Sequence, residues 1–346
     1  MTPRYIISLG ALIIALAGAG TEAGRAQSVE AFYRGRTVTI EIGFGAGGGY
    51  DALGRLLARY LGKYIPGNPT VIPQNMLGAG SLRAALYIYN AAPKDGTTLG
   101  IIARGLEMEP LVGPSGAKFD TRKFTWIGST TDEVSVCVTA GHSKVKTWDD
   151  SLRIPFTVGG EGAATDPDIF AIMLRNVFGT RLRLISGYAG GADITLALER
   201  GEVDGRCGWT WSSVRLQRPD WIGTSKLNVL VQLAMKKSAE LPEVPLIIDL
   251  AKTERQRQIV GMILSRQQVG RPLVAPPGIP EDRKQALRAA YDATLADPDY
   301  IAEATMRSLE VNPVKGAEID KMLAELYATP PEVIAEVKAI IAEGAK

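Results

Sequence analysis

This chain of 346 residues has a single histidine, two cysteines and a formal net charge of only +2. A lone histidine, His142 in a predicted surface turn, cannot build a metal site, so we expect no bound metal. A nearly neutral chain lacks the basic patch that nucleic acid or an acidic membrane surface requires. After the first residues, no uncharged apolar run reaches the roughly 18 residues of a transmembrane helix. These absences favour a soluble protein whose partner is a small molecule or another protein.

The two cysteines lie in or beside segments with the pattern of buried strands, Cys137 in VSVCVTA and Cys207 in EVDGRCG. An oxidising compartment would permit a disulfide between them. Their spacing along the chain does not show that they are close in space. We favour two buried free thiols over a disulfide.

The N-terminus has the pattern of a secretory signal peptide covering residues 1–26. Arg4 supplies a positive charge, residues 6–17 form a short apolar run, and small residues precede a predicted cleavage after Ala26. No cysteine lies at the cleavage point, which argues against a lipid anchor. We therefore expect an exported mature chain that begins at Gln27.

Strand and helix patterns alternate along the mature chain. In TVTIEI, apolar and polar residues alternate, which predicts a strand, and the next apolar positions recur at helical spacing from Leu53 to Tyr64. TVIPQN and TTLGIIA read as further strands with the helix SLRAALYIYNAA between them. This β-α-β-α-β order predicts an α/β fold with sheets covered by helices.

A glycine-rich loop follows the first predicted strand and opens the first long helix. It contains G-x-G-x-x-G at Gly43, Gly45 and Gly48, the spacing of a dinucleotide loop. No Asp or Glu occurs between Ala52 and Lys94 to bind a ribose, so we favour a small carboxylate held by backbone N–H groups. The alternatives are a dinucleotide site and a tight turn without a ligand.

No motif in the chain indicates catalysis. It contains no G-x-S-x-G elbow, no evident Cys–His pair and no carboxylate pair with clear acid and base roles. We expect no catalytic residue and no cofactor. The remaining enzyme hypothesis is an exported hydrolase or lyase that uses Asp51 or Asp166. Asp51 can equally complement the helix dipole, orient the loop or meet a ligand donor.

Six colinear segments resemble the substrate-binding proteins of tripartite tricarboxylate transporters, known as the Bug family. The first three are GFGAGGGYDALGRLLARYL, PQNMLGAGSLRAALYIYNAAPKDGTTLG and VGGEGAATDPDIFAIMLRNVFG. The other three are ISGYAGGADITLALERGEVD, LNVLVQLAMKKSAELPEVPLI and LVAPPGIPEDRKQALRAAYDATLADPDY. Together they cover the mature chain almost from end to end.

The resemblance implies a periplasmic, monomeric binding protein of the two-lobed Venus-flytrap type, type II-like. Each lobe would be a mixed, mainly parallel sheet flanked by helices, with lobe 1 at residues 27–133 and 235–346 and lobe 2 at 134–234. The protein would capture a small di-, tri- or aromatic carboxylate and deliver it to a two-subunit integral membrane carrier. A sensory protein that presents the ligand to a membrane kinase is the alternative.

The resemblance also places the ligand site in loops that open helices. In the first lobe these positions are Phe44, Ala46, Gly47, Gly48, Gly49, Tyr50, Asp51, Gly80 and Ser81. In the second lobe they are Gly162, Thr165, Asp166, Tyr188, Gly190, Gly191, Ala192 and Asp193. We expect backbone N–H groups of the two glycine loops to face one ligand carboxylate across a cleft.

Three positions depart from the usual pattern of the family. Arg104 replaces a small hydroxyl residue, and it can bind a second ligand carboxylate, remain a solvated charge or bridge the lobes. Trp209 and Trp211 replace small residues, and they can line the ligand site or pack in the core. Together these residues favour a larger, aromatic or longer-chain carboxylate.

Overall fold

The computed structural model describes Met1 and residues 27–113, 116, 118–162 and 165–343. The predicted signal peptide lies outside the described residues except for Met1. Within the described ranges, no helix is long and apolar enough to cross a membrane. Two separate sheets organise the chain.

The first sheet has six strands in the order β11-β4-β10-β3-β1-β2. Strand β1 pairs in parallel with β2 and β3, whereas β10 and β11 pair antiparallel with their neighbours. The strands are β1 (Thr37–Ile42), β2 (Thr70–Asn75), β3 (Thr98–Ile101), β4 (Thr125–Ser129), β10 (Pro272–Ala275) and β11 (Val314–Lys315).

The second sheet has five strands in the order β7-β6-β8-β5-β9. Strand β6 pairs in parallel with β7 and β8, and β5 pairs antiparallel with β8 and β9. The strands are β5 (Ser135–Ala140), β6 (Phe156–Gly159), β7 (Leu182–Ile185), β8 (Gly205–Thr210) and β9 (Leu227–Leu233). The expected mixed sheets flanked by helices are confirmed, but parallel pairings do not predominate in either sheet.

The helices cover the faces of the two sheets. Helix α2 begins in the glycine loop, and its buried face carries Leu53, Leu56, Leu57 and Leu61 as the helical spacing predicts. The helices are α1 (Val29–Tyr33), α2 (Gly49–Tyr64), α3 (Leu82–Asn90), α4 (Glu109–Val112), α5 (Trp148–Ser151), α6 (Asp166–Phe178), α7 (Gly191–Arg200), α8 (Trp211–Gln217), α9 (Glu254–Leu264), α10 (Glu281–Leu295), α11 (Pro298–Met306), α12 (Gly316–Tyr327) and α13 (Pro331–Glu343).

The C-terminal helix α13 joins elements that flank both sheets. It packs against α4, which follows β3 of the first sheet, and against α6, which follows β6 of the second. Its buried residues Val333, Val337, Ile340 and Ile341 belong to a core that also contains residues of α6 and α9. The same apolar core therefore extends from elements of the first sheet to elements of the second.

The two cysteines form a disulfide between neighbouring strands of the second sheet. Cys137 on β5 and Cys207 on β8 are joined directly, and both are fully buried. Our preference for two free thiols was wrong. The antiparallel pairing of β5 with β8 brings together two positions that lie 70 residues apart along the chain, a proximity that spacing cannot reveal.

Candidate functional site

A cavity of about 320 Å³ lies between the two sheets, and we call it the arginine cavity. Elements of the first sheet provide one wall, with Phe44, Tyr50, Gly80, Ala103, Arg104, Arg266 and Arg271. Elements of the second sheet provide the other wall, with Glu161, Thr165, Asp166, Pro167, Arg206, Gly208, Trp209, Thr210, Ser213 and Gln217. The cavity has the size and the interlobe position of a small-molecule site.

Four arginines line this cavity, against the two carboxylates of Glu161 and Asp166. Three of the arginines form a chain of ion pairs with two acids, in the order Arg266, Asp166, Arg104, Glu133 and Arg271. This series of ion pairs carries three positive and two negative charges. Such a balance, partly shielded from water, favours an anion in the cavity.

Arg104 connects the two halves of the molecule through this chain. It follows β3 of the first sheet, and its guanidinium Nη1 lies 3.0 Å from Oε2 of Glu133, in the crossing to the second sheet. Its Nη2 pairs with Asp166 at the start of α6. Burial alone would lower the pKa of Arg104, but Asp166 and Glu133 raise it. Of its three predicted roles, this contact pattern is that of the bridging charge.

Two more arginines lie at the ends of this series of ion pairs. Nε of Arg266 lies 2.9 Å from Oδ1 of Asp166, and Nη1 of Arg271 lies 3.1 Å from Oε1 of Glu133. Burial alone would raise the pKa of Asp166, but Arg104 and Arg266 hold it below its usual value. Asp166 is therefore ionised and occupied by arginines at neutral pH.

Tyr50 holds Arg104 and Arg271 in place on the first-sheet side. Its hydroxyl accepts a hydrogen bond from the backbone N–H of Arg104 at 3.1 Å and donates one to the Gly270 carbonyl at 3.2 Å. Its ring stacks on Phe44 with centroids 3.9 Å apart, and the Arg271 guanidinium lies 4.3 Å from its centroid. Both aromatic residues predicted for this loop thus line the cavity.

The glycine loop itself is tied to Asp51. The backbone N–H of Gly47, at a φ of +84°, donates to Asp51 Oδ2 at 2.8 Å. Asp51 also pairs with Arg55 at 2.9 Å and accepts from Asn75 at 2.8 Å. The Arg55 hydrogen bond, aided by Asn75 and Gly47, lowers the pKa of Asp51 to about 2. Of the alternatives for Asp51, this geometry favours orienting the loop.

Not every predicted position of the first loops lies at the cavity. Residues 46–49 and Asp51 are outside its lining, whereas Gly80 is in it. Ser81 is buried, and its hydroxyl accepts a hydrogen bond from the backbone N–H of Ala103 at 3.1 Å. A Cβ on Gly43 would lie 1.9 Å from that hydroxyl oxygen, so Gly43 has to lack one. Ser81 therefore fastens its loop beside Arg104.

In the second-sheet wall, Asp168 organises the loop before α6. Its Oδ2 accepts from the backbone N–H groups of Glu161 and Gly162, at 2.7 and 3.0 Å, and from the Thr165 hydroxyl at 3.0 Å. Thr165 lines the cavity, while Gly162 does not. Sequence reasoning missed Asp168, although Thr165 followed three residues later by an acid is a helix-start signal.

Arg206 lies on β8 and explains the second glycine turn. Its Nη1 donates to the Gly191 carbonyl at 2.8 Å and to the Thr195 hydroxyl at 3.1 Å. A Cβ on Gly191 would lie 2.2 Å from Arg206 Nη2, so this glycine leaves room for the guanidinium. Burial lowers the pKa of Arg206 to about 10, against the opposing effect of Glu161, so it remains charged at neutral pH.

The other residues predicted around this turn lie outside the cavity lining. These residues are Tyr188, Gly190, Ala192 and Asp193. Gly190 has an extended backbone, with a φ of 179°, and no atom comes closer than 4.0 Å to a Cβ built on it. The turn therefore does not line the cavity itself but positions Arg206, which does.

The two tryptophans that depart from the family pattern have different positions. Trp209 lines the cavity, is 1% exposed and meets Trp221 edge-on with centroids 6.4 Å apart. The Arg206 guanidinium lies 4.9 Å from the Trp209 ring centroid. Trp211 is buried outside the lining, and its indole N–H donates to Glu240 Oε2 at 2.6 Å.

Sequence reasoning missed three of the four arginines of the cavity. Arg206 interrupts the buried strand GRCGWT, whereas Arg266 and Arg271 end the short segment RQQVGR just before β10. A buried arginine requires a partner, so the charge within the apolar stretch was an available signal for Arg206. Among the described residues, no cluster of three or more His, Cys, Asp or Glu side chains could hold a metal ion.

Comparison with known proteins identifies the family. The family model of the tripartite tricarboxylate transporter family receptor, TctC, matches residues 55–339. The chain belongs to this family. A UPF0065 protein of Pseudomonas sp. (strain P51), from the tcbD-tcbE intergenic region, is 25% identical over 318 residues, covering 90% of this chain and 88% of that protein.

Solved structures share the fold of this chain. A TctC solute-binding protein from Polaromonas superposes with a TM-score of 0.69 at 19% identity, covering 90% of this chain and 99% of that one. MatC of Rhodopseudomonas palustris with bound malate gives a TM-score of 0.61 at 21% identity, covering 88% and 99% of the two chains. The chain therefore has the two-lobed fold of periplasmic solute-binding proteins.

Proposed function

We propose that this TctC-family protein is a periplasmic receptor that captures a small carboxylate in the arginine cavity. Residues 27–133 with 235–346 form one lobe and residues 134–234 the other, and the lobes close on the ligand by hinge motion. The loaded, monomeric receptor delivers the ligand to a two-subunit integral membrane carrier. The malate bound by MatC, a protein of the same fold, supports a carboxylate as the ligand class.

The single observation that carries this proposal is the set of four arginines around one cavity between the sheets. Two buried donors on the second-sheet wall, Arg206 Nε and Trp209 Nε1, have no hydrogen-bond acceptor among the described residues. Buried donors usually have a hydrogen-bond partner, because a buried donor without one costs about 1 to 3 kcal/mol of stability. A ligand oxygen at this wall supplies such a partner.

The geometry does not favour the alternative of a hydrolase or lyase. Asp51 and Asp166, the two candidate catalytic carboxylates, are both held by arginines, and the pKa of each lies below its usual value. A general acid needs a raised pKa to carry a proton near neutral pH. Solute binding uses these carboxylates as they are, as supports for the loop and for the arginines.

The test is a thermal-unfolding screen of the 27–346 protein against paired ligands. Each carboxylate in the panel, from succinate and malate to citrate and benzoate, is compared with its uncharged amide. At about 100 times its dissociation constant, a true ligand stabilises by roughly 2.7 kcal/mol, whereas its amide leaves the melting temperature unchanged. Equal shifts with acids and amides, or a shift only with nucleotides, would refute carboxylate capture.

A further inference from the structure

A second cavity of about 320 Å³ adjoins the arginine cavity, and we call it the apolar chamber. Its apolar walls are formed by Leu82, Leu106, Met108, Val112, Ile169 and Ile341. Its polar side chains are those of Arg104, Glu109, Thr165 and Arg266. The chamber lies between α3 and α4 on one side and α6 and α13 on the other.

The two cavities share part of their walls. Gly80, Ala103, Arg104, Thr165 and Arg266 line both of them. The arginines of the ion-pair chain therefore lie at the boundary, with a polar volume on one side and an apolar volume on the other. A molecule that occupies both volumes needs a charged end and an uncharged, apolar remainder.

The chamber is a partly open pocket whose walls are mainly apolar. At about 30 Å³ for each water in the liquid, the chamber has room for roughly ten water-sized groups. Its apolar walls offer water few hydrogen bonds, so an apolar ligand group gains more from this space than water does.

We propose that the ligand is a carboxylate with an apolar body, which lies in the apolar chamber while the carboxylate lies in the arginine cavity. This inference rests on the proposed function, because it assumes that the arginines bind the carboxylate. It adds that the chamber sets specificity: aromatic or medium-chain aliphatic carboxylates bind more tightly than short, hydroxylated di- and tricarboxylates.

The test fills the chamber from two opposite walls. Leu82→Phe on α3 and Ile341→Phe on α13 each place a larger side chain in the chamber, which reduces the space for a ligand, and leave the arginines in place. Leu323→Phe is the matched control, because Leu323 is 1% exposed in the core and lines neither cavity. Titration calorimetry compares octanoate and 4-phenylbutyrate with succinate and malate for each protein, and melting temperatures are recorded without ligand.

The proposal predicts that the wild type binds octanoate or 4-phenylbutyrate at least tenfold more tightly than succinate and malate. Both chamber variants should lose that advantage, bind the short acids within threefold of wild type, and melt near the wild-type temperature. Leu323→Phe should melt lower, since overpacking a filled core destabilises.

Three results overturn the proposal, and they separate it from the function on which it rests. If the chamber variants bind the apolar-bodied acids as the wild type does, the chamber is not used, while carboxylate capture stands. If both variants melt as low as Leu323→Phe, the chamber has no room for a ligand. If the wild type binds neither kind of acid, the proposed function fails as well.

Discussion

At the scale of single residues, Asp51 shows how an acidic side chain can support a loop beside a cavity lined by arginines. It lies in the first turn of α2, where a carboxylate also complements the helix dipole. Its oxygens are taken by Gly47, Arg55 and Asn75, which join the glycine loop, the helix and β2. Its negative charge is thus compensated locally and fixes the shape of the loop beside Phe44 and Tyr50.

We predict that Asp51→Asn lowers the free energy of unfolding at pH 7 by about 1 to 2 kcal/mol, since hydrogen bonds to a charged group are lost. The pKa of Asp51 is about 2 in the folded protein and about 3.9 in the unfolded chain. Its stabilisation is therefore complete above about pH 4 and is lost as the pH falls towards 2. Urea unfolding at several pH values measures this change.

The matched control is Asp193→Asn, which alters an exposed acid in the first turn of α7. That variant should lose at most about 1 kcal/mol, the value of a helix-dipole interaction. The acid limb of the stability curve should become shallower for Asp51→Asn than for the control. Identical acid limbs for the wild type and Asp51→Asn would show that the carboxylate does not hold the loop.

Among elements, the two glycine turns look alike in sequence but differ in structure. In the first turn, the backbone N–H of Gly47 donates a hydrogen bond to Asp51. In the second turn, the missing side chain of Gly191 leaves space for Arg206. Our sequence interpretation gave both turns the same task, direct contact with a ligand carboxylate. In the structure the aromatic residues and arginines near the turns line the cavity, and most of the glycines do not.

We predict that Gly191→Ala weakens carboxylate binding at least tenfold and leaves the fold intact. Its Cβ would lie 2.2 Å from Arg206 Nη2, and the end of a long side chain is what has to move. Gly190→Ala is the matched control and should bind as the wild type does, because its backbone is extended and the added Cβ meets no close atom. Calorimetry of both variants decides the matter. A large loss of affinity in Gly190→Ala would favour direct ligand contact by this turn.

The strands and helices were largely predictable from the chain, and the reason is local. Alternating apolar residues in TVTIEI and the helical spacing after Leu53 each encode one element without reference to any other. The missed strands β4, β10 and β11 are short or irregular, and they pair with segments far away in sequence. The disulfide of Cys137 and Cys207 was missed for the same reason.

In the molecule as a whole, the ion-pair chain connects segments that belong to the two different sheets. Arg104, Glu133 and Asp166 come from three separate segments, and only the tertiary fold brings them within contact. No local pattern marks such a meeting, so the sequence pointed to Arg104 but left its partners open. The resemblance of six segments supplied the two-lobed fold; the charges that line the cavity had to come from the structure.

The same arrangement suggests how capture of a ligand relates to the two lobes. Arg271 immediately precedes β10 of the first sheet, Arg206 lies on β8 of the second, and both line one cavity. A carboxylate that contacts both guanidiniums links the sheets through charge-assisted hydrogen bonds, which are about twice as strong as neutral ones. Carboxylate capture as proposed therefore depends on these two arginines acting on one ligand.

The most direct test is calorimetric titration of the best carboxylate of the screen into the wild type, Arg206→Met, Arg271→Met and Arg200→Met. Arg200 on α7 is exposed and outside the cavity, so its loss controls for net charge. We predict that each cavity variant loses at least tenfold in affinity while Arg200→Met stays within twofold of wild type. Equal affinity in all four proteins would show that the carboxylate binds elsewhere, and would contradict carboxylate capture in the arginine cavity.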